Sequence, residues 1–246
     1  MPKIISAIDT KDAAFQDNRA DMLAQIDGLR QLEGMIRARS EKSRERFAAR
    51  NQLLPRDRLE LLLDRGAPWL ELSTTAGYKT YDDDGDKNIS GARLITGIGM
   101  VAGVRCVVIV DDSGILAGAL HTHGVDKMIR AFNVALENKL PTIHLVQSAG
   151  ADLLDYVPAT WVRAGGMFHM QAKLSAAGCP VISVVHGAST AGGAYMPGMS
   201  DYVISVKGRG RASLGGSALV RAATGEISEE EELAGTEMHA TVSGLV

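Results

Sequence analysis

Cysteine is scarce in this chain: Cys106 and Cys179 are the only two in 246 residues, and they form no Cys-x-x-Cys pair. A disulfide framework and a cysteine zinc ribbon are thereby excluded, and no metal is expected. Long apolar runs are missing too. The opening Met-Pro-Lys-Ile-Ile-Ser carries no signal-peptide core, and no stretch approaches the ~18 apolar residues of a membrane span. The reading is a protein of a reducing compartment, the cytoplasm or, in a eukaryote, the mitochondrial matrix, with no transit peptide seen and no membrane partner. An excess of one charge is also lacking. A formal net charge of −3 falls short of the concentrated positive field that phosphate backbones require, so nucleic acid is not an expected partner. Tandem repeats and low-complexity tracts are absent as well.

What the chain does hold is 46% hydrophobic residues, enough over this length to bury one full core. Glycine divides it: 22 of the 27 fall after residue 90, which marks the first part as a different kind of segment. There Met22, Ile26, Leu29, Leu32 and Ile36 recur at gaps of four and three. That spacing predicts a helix whose apolar stripe lies on the globular body or on a neighbouring subunit. Arg37, Arg39, Lys42, Arg44, Arg46 and Arg50 follow as a basic helical face, either solvated or turned toward phosphates or an acidic partner. Pro55 suits the first position of a helix leading through Asp57 to Asp64, with Gly66 as its stop. The expected organisation is a helical extension over residues 1–66 and one α/β unit over 67–246.

In the second part, Leu94 to Val101 and Val104 to Asp111 read as strands joined by an Ala102-Gly103 hairpin turn. Val125 to Asn138 reads as a helix with Met128, Phe132 and Leu136 inward, and Thr160 to Ala177 as another with Met167, Met170 and Leu174 inward. Cys179-Pro180 ends the latter, because the residue before proline is pushed out of the helical region. Two apolar runs, from Thr142 and from Val181, each end in small residues: Ser148-Ala149-Gly150-Ala151, and Ser189-Thr190-Ala191-Gly192-Gly193-Ala194-Tyr195. In an open parallel sheet both ends lie beyond the carboxyl edge of the strands, where ligands sit. Gly192 and Gly193 would expose the first amides of a helix, a site suited to an oxyanion. The plain alternative is a tight turn in which they only relieve packing.

Other candidates carry less. His121 and His123 lack a third acid or thiol, so they make only a weak metal site, and no metal is assigned. His186, just before the glycine turn, is either a hydrogen-bonded packing residue or a base. Ser148 and Ser189 lack the Gly-x-Ser-x-Gly elbow of a hydrolase. Asp82-Asp83-Asp84-Gly85-Asp86 lacks the later ligands of a calcium loop and reads as an acidic surface loop.

Taken in order, Gly97-Ile98-Gly99, Leu140-Pro141, Ser148 to Ala151, Ser189 to Tyr195 with Pro197 and Ser200-Asp201, Lys207 to Gly216, and Arg221-Ala222-Ala223-Thr224-Gly225-Glu226 form one series. From about Arg56 onward the chain resembles the amino-terminal half of the carboxyltransferase β subunit of biotin-dependent acyl-CoA carboxylases. Thr190 to Tyr195 and Ala222 to Glu226 look more like the methylcrotonyl- or geranyl-CoA type than the propionyl-CoA type. The resemblance implies a crotonase-like α/β domain of stacked ββα units that binds an acyl-CoA thioester. Biotin would arrive carboxylated on a separate carrier, from a biotin carboxylase and carrier subunit. The family's second domain, which supplies the biotin side and through which a homo-oligomer would form, is not within this sequence. Both half-reactions pass through enolates.

Carried over by motif, Gly192 and Gly193 would hold the thioester oxyanion, with Ala149, Gly150, Ala151, Ala191, Ala194 and Tyr195 around the substrate. Lys127, Lys207, Arg209 and Arg211 are candidates for the CoA phosphates. Ala149 stands where the family's Ser-Gly-Gly-Ala has its first glycine, and Ser217-Ala218 replace a usual Pro-Pro. Two other functions fit the same resemblance: a biotin-dependent acyl-CoA decarboxylase component, and a noncatalytic CoA-binding or assembly lobe.

Overall fold

The computed structural model describes residues 3, 5–80, 90–155 and 157–246. The acidic run at 82–86 lies outside the described residues. Three helices lead, α1 (Ala13–Glu41), α2 (Arg44–Ala49) and α3 (Pro55–Leu62), with Pro55 at the start of α3 as its fixed φ favours. A six-stranded sheet follows in the order β1-β2-β3-β4-β5-β7. Its strands are β1 (Leu70–Leu72), β2 (Leu94–Val101), β3 (Val104–Asp111), β4 (Thr142–Val146), β5 (Val181–Val185) and β7 (Tyr202–Ser205).

β2 and β3 pair antiparallel from Leu94↔Asp111 to Val101↔Val104. Ala102 and Gly103 turn the chain between them with φ of 50° and 76°. Two positive φ values make the primed hairpin turn, whose twist matches that of paired strands. β3, β4, β5 and β7 run parallel, so each crossover needs a helix. These are α4 (Thr122–Asn138) between β3 and β4, α5 (Pro158–Ala176) between β4 and β5, and α6 (Gly192–Gly198) between β5 and β7.

β4 is buried along its whole length, as a strand covered on both faces must be. Alternation assigns the faces. Val107 and Ile109 meet Met128, Phe132, Met167 and Leu174 of α4 and α5, whereas Val108, Val110, Ile143 and Leu145 meet Leu59 of α3. The inward residues expected of α4 and α5 are therefore inward. This is the α/β crotonase-like fold with a helical amino-terminal extension.

α1 differs from the simplest expectation. Met22 and Leu29 are about half exposed, and only Ile36 and Ser40 of the helix are buried, so only the Ile36 end of its stripe lies on this chain's body. Only the last turns touch the globular part, where Ser40 Oγ donates to Asp112 Oδ1 at 2.5 Å. Of the basic face, Arg44 is engaged by both Glu41 and Asp57 at 2.7 and 2.8 Å, and Arg37 reaches Glu71 at 3.5 Å.

A second, two-stranded sheet pairs β6 (Ala188–Thr190) with β8 (Arg211–Ser213) in parallel. It lays the 207–216 segment beside the glycine turn.

Candidate active site

The two small-residue turns meet backbone to backbone. Thr190 N donates to Ser148 O at 2.9 Å, and Gly150, at φ +86°, passes so close that a Cβ there would stand 2.8 Å from Thr190 O. A Cβ on Gly193 would lie 3.0 Å from Ser148 Cβ and 3.2 Å from Ser148 O. Glycine at 150 is thus required by approach and by its positive φ, and at 193 a side chain would have to push Ser148 back by a few tenths of an ångström. Gly192 is under no such constraint, since nothing lies within 4 Å of its Cβ position.

Between β6 and α6, Ala191 holds φ 49° and ψ −117°, a conformation that costs a residue with a Cβ about 1–3 kcal/mol. The surroundings impose it. Ala191 N donates to Ser213 O at 2.9 Å, and Ala191 O accepts from Ala194 N and Tyr195 N at 3.0 and 3.2 Å. The consequence is an abrupt helix start in which the amides of Gly192 and Gly193 have no carbonyl one turn earlier to receive them. The first amides of a helix carry partial positive charge.

The first turn is different. Ala149 N donates to Ala117 O at 3.0 Å and Gly150 N to Ser148 Oγ at 3.1 Å, while Gly150 O accepts from Leu120 N at 2.7 Å. Ala117 O is presented by a left-handed turn over Leu116, Ala117 and Gly118, with φ of 42°, 52° and 67°. Arg93 ties this wall down, reaching Asp152 at 2.7 Å and Ala119 O at 3.1 Å.

An apolar cavity of about 460 Å³ opens between the turns and α5. Ala149, Ala151, Ala191 and Gly192 border it on the turn side, and Trp161, Gly165 and Phe168 on the α5 side. The α5 wall has no motif in the sequence beyond its helical periodicity. A smaller cavity of about 330 Å³ lies across α6, bordered by Ala191, Ala194, Tyr195, Leu214 and His239. The eight motif residues therefore divide. Ala149, Ala151, Ala191 and Gly192 meet at the larger space, Ala194 and Tyr195 at the smaller, and Gly150 and Gly193 are packed between turns.

Of the four phosphate candidates, none borders the larger cavity, and Lys127 must be withdrawn. It is buried in α4, with Nζ donating to Gly91 O and Leu94 O at 3.0 and 2.7 Å, and burial pushes its pKa down to about 8. It ties the helix to the start of β2. The clue was its position four residues before Ala131 and three after Gly124, on the inward stripe. Lys207 is exposed and paired with Glu237 at 2.8 Å, and Arg211 stands 3.9 Å from Glu230. Arg209 borders a separate cavity near Phe47 and Asn51.

Among the histidines, His186 is on the α3 side of the sheet and does not line the larger cavity. Burial, reinforced by the Arg58 charge, pushes its pKa down to about 4, so it is neutral at pH 7. His121 is buried and caps α4 by accepting from His123 N at 3.4 Å. A buried pair escaped the sequence: His144 Nε2 meets Asp111 Oδ1 at 3.1 Å, and Asp111 Oδ2 accepts from Gln147 N at 2.9 Å. Its only sequence signal was a histidine in an otherwise apolar strand. Among the described residues no group of three His, Cys, Asp or Glu could hold a metal ion, and no helix is long and apolar enough to cross a membrane.

Residues 46–246 match the carboxyl transferase domain, so the chain belongs to that family. It is 42% identical over 241 residues to the probable biotin-dependent acyl-coenzyme A carboxylase beta2 subunit of Mycobacterium tuberculosis, covering 98% of this chain and 44% of that protein. The probable mitochondrial methylcrotonoyl-CoA carboxylase beta chain of Drosophila melanogaster is 39% identical, with 98% of this chain and 42% of that protein covered. The crystal structure of the P. aeruginosa geranyl-CoA carboxylase beta subunit superposes with a TM-score of 0.88 at 44% identity, covering 100% of this chain and 45% of that one. The chain thus spans less than half the length of these relatives.

Proposed function

We propose that this chain is the acyl-CoA-binding half of a biotin-dependent acyl-CoA carboxyltransferase, acting through an enolate. One observation carries the reading: α6 begins with Gly192 on the border of an apolar cavity of about 460 Å³, behind an Ala191 whose side chain caps neither first-turn amide. These amides would receive the thioester oxygen as negative charge develops on it, and donors of this kind are typically worth about 2.7–4 kcal/mol each in the transition state. Ala149, Gly150 and Ala151 would shape the facing wall, with their own amides largely committed to the protein, while Ala191, Ala194 and Tyr195 would position the helix start. Lys207, Arg209 and Arg211 are the cations left for CoA phosphates. Residues 1–66 form the helical extension and 67–246 the catalytic half.

Biotin, carried on a separate carrier domain, supplies the carboxyl group. The site for its ring is assigned to the length of the relatives that this chain does not span. The cytoplasm or mitochondrial matrix suits this chemistry. Self-association is supported by the β7 edge, where Tyr202 and Ile204 are more than half exposed. Calorimetry with CoA and an acyl-CoA tests the core of the reading. Binding of both, with no carboxylation by the chain alone, is expected; no heat and no competition at about millimolar ligand would sink it.

A further inference from the structure

Gly91, Ala92 and Arg93 lead into β2 in three consecutive left-handed conformations, with φ of 67°, 57° and 57°. Residues with a Cβ resist that region, so Ala92 and Arg93 hold it only because their surroundings over-determine it. Lys127 Nζ donates to Gly91 O and Leu94 O on either side, and Asp112 N donates to Arg93 O at 2.9 Å. The outcome is a guanidinium delivered to the interior. The Arg93 side chain is 4% exposed and meets the Asp152 carboxylate, 14% exposed, at 2.7 Å. An ion pair taken this far out of water carries a large desolvation cost, so its place needs a reason.

Asp152 supplies one. Its Oδ2 accepts from Arg93, and its Oδ1 accepts from Leu154 N at 3.2 Å, where the chain leaves the wall toward α5. Through the same nitrogen, Nη1, Arg93 also donates to Ala119 O at 3.1 Å. The next residue, Leu120, donates its N to Gly150 O at 2.7 Å, and its O accepts from Asp152 N at 2.9 Å. The guanidinium thus joins both edges of the short ribbon formed by 119–120 and 150–152. Leu120, Ala149, Ala151 and Asp152 border the larger cavity, as Gly192 does, and Arg93 does not. Arg93 reaches a ligand there only through the wall.

We propose that Arg93 is a positioning residue: through Asp152 it fixes where the 149–152 wall stands relative to the start of α6, and so sets the seat in which the thioester meets that helix. The inference rests on the acyl-CoA reading and adds to it a residue outside the cavity lining. A seat misplaced by about 1 Å costs on the order of a hundredfold in rate, so the effect falls on turnover rather than on binding.

The test uses a complete carboxylase containing this chain, with 3-methylcrotonyl-CoA and geranyl-CoA as substrates. Asp152→Asn strands the buried guanidinium and should lower both Tm and kcat. Changing both partners, Arg93→Met with Asp152→Asn, removes the uncompensated charge and should return Tm to the parent's, since neutral groups of similar volume replace buried pairs well. Turnover separates the roles. The double variant should still run at least about tenfold below the parent in kcat, with KM within about threefold. Should it fail to fold, Arg93→Lys decides by the same split, because lysine keeps the charge but not the reach or the planar donor geometry. A folded double variant with Tm and kcat both at the parent's values overturns the inference, since the pair would then be structural only. A rise in KM at unchanged kcat also overturns it, because the pair would then serve binding. A parent enzyme that turns over neither thioester overturns the acyl-CoA reading, and this inference with it.

Discussion

The turns after β4 and before α6 are built from the same small residues and touch one another, yet they dispose of their amides in opposite ways. In the first, Ala149 N and Gly150 N are bound by Ala117 O and Ser148 Oγ. In the second, the strained Ala191 breaks the chain into a helix abruptly, and among the described residues no side-chain cap serves the amides of its first turn. One turn spends its amides on the protein, and the other opens a helix at the cavity border. What separates them is their backbone surroundings, a left-handed turn in front of one and the β6–β8 pair beside the other.

The largest expected effect divides the two glycines of the second turn. Gly192 has open space at its Cβ position, so Gly192→Val should leave folding intact while its side chain blocks the cavity edge. In a complete carboxylase containing this chain, turnover should fall by roughly two orders of magnitude or more. Gly193 is pressed against Ser148. Gly193→Val should instead destabilise the fold, by about 3 kcal/mol, because the overpacked neighbour is backbone as well as side chain. Thermal unfolding beside turnover separates the two. A well-folded Gly192→Val protein with near-normal turnover would end the oxyanion assignment.

A smaller effect concerns His186, which follows β5 on the opposite face from the cavity. Its folded pKa, about 4, is depressed below the ordinary value of 6.5, so the unfolded chain binds more protons between those values. Stability should therefore fall as pH drops from about 6.5 toward 4. His186→Gln should flatten that part of the curve and leave turnover within about threefold, as a packing residue would. Loss of turnover with an unchanged stability profile would make His186 the base.

How much of this was legible varies by element. The β2–β3 hairpin was readable to the residue, because alternation and an Ala-Gly turn both act over short range. α4 and α5 were readable from their apolar spacing, and Pro55 announced α3. The destination of the α1 stripe was not, since periodicity reports a face without naming what covers it. Lys127 was misread because a charged residue on an inward stripe was taken for a surface cation; backbone carbonyls from Gly91 and Leu94, distant in sequence, make its burial tolerable. The left-handed run at Leu116 and Ala117 offered no glycine or asparagine to signal it before Gly118. At the site, the glycine turn was visible, whereas the α5 wall depended on which helix face the fold turns toward the cavity.

The smallest effect sharpens the contrast between the turns. Ala149 departs from the family's usual glycine, and a methyl group can restrict approach to the main chain. Its amide is nonetheless bound to Ala117 O at 3.0 Å, and Ala149 is absent from the residues with positive φ. An alanine there needs no strained backbone. Ala149→Gly should thus gain nothing in geometry and lose about 0.5–1 kcal/mol through the freedom of the unfolded chain. Acyl-CoA affinity should change by less than about threefold, equivalent to under 0.7 kcal/mol. Denaturant unfolding and calorimetry on the same preparation measure both. A marked rise in affinity would mean that the methyl group does obstruct the ligand, and the first turn would then have to be counted as part of the reacting site rather than as its wall.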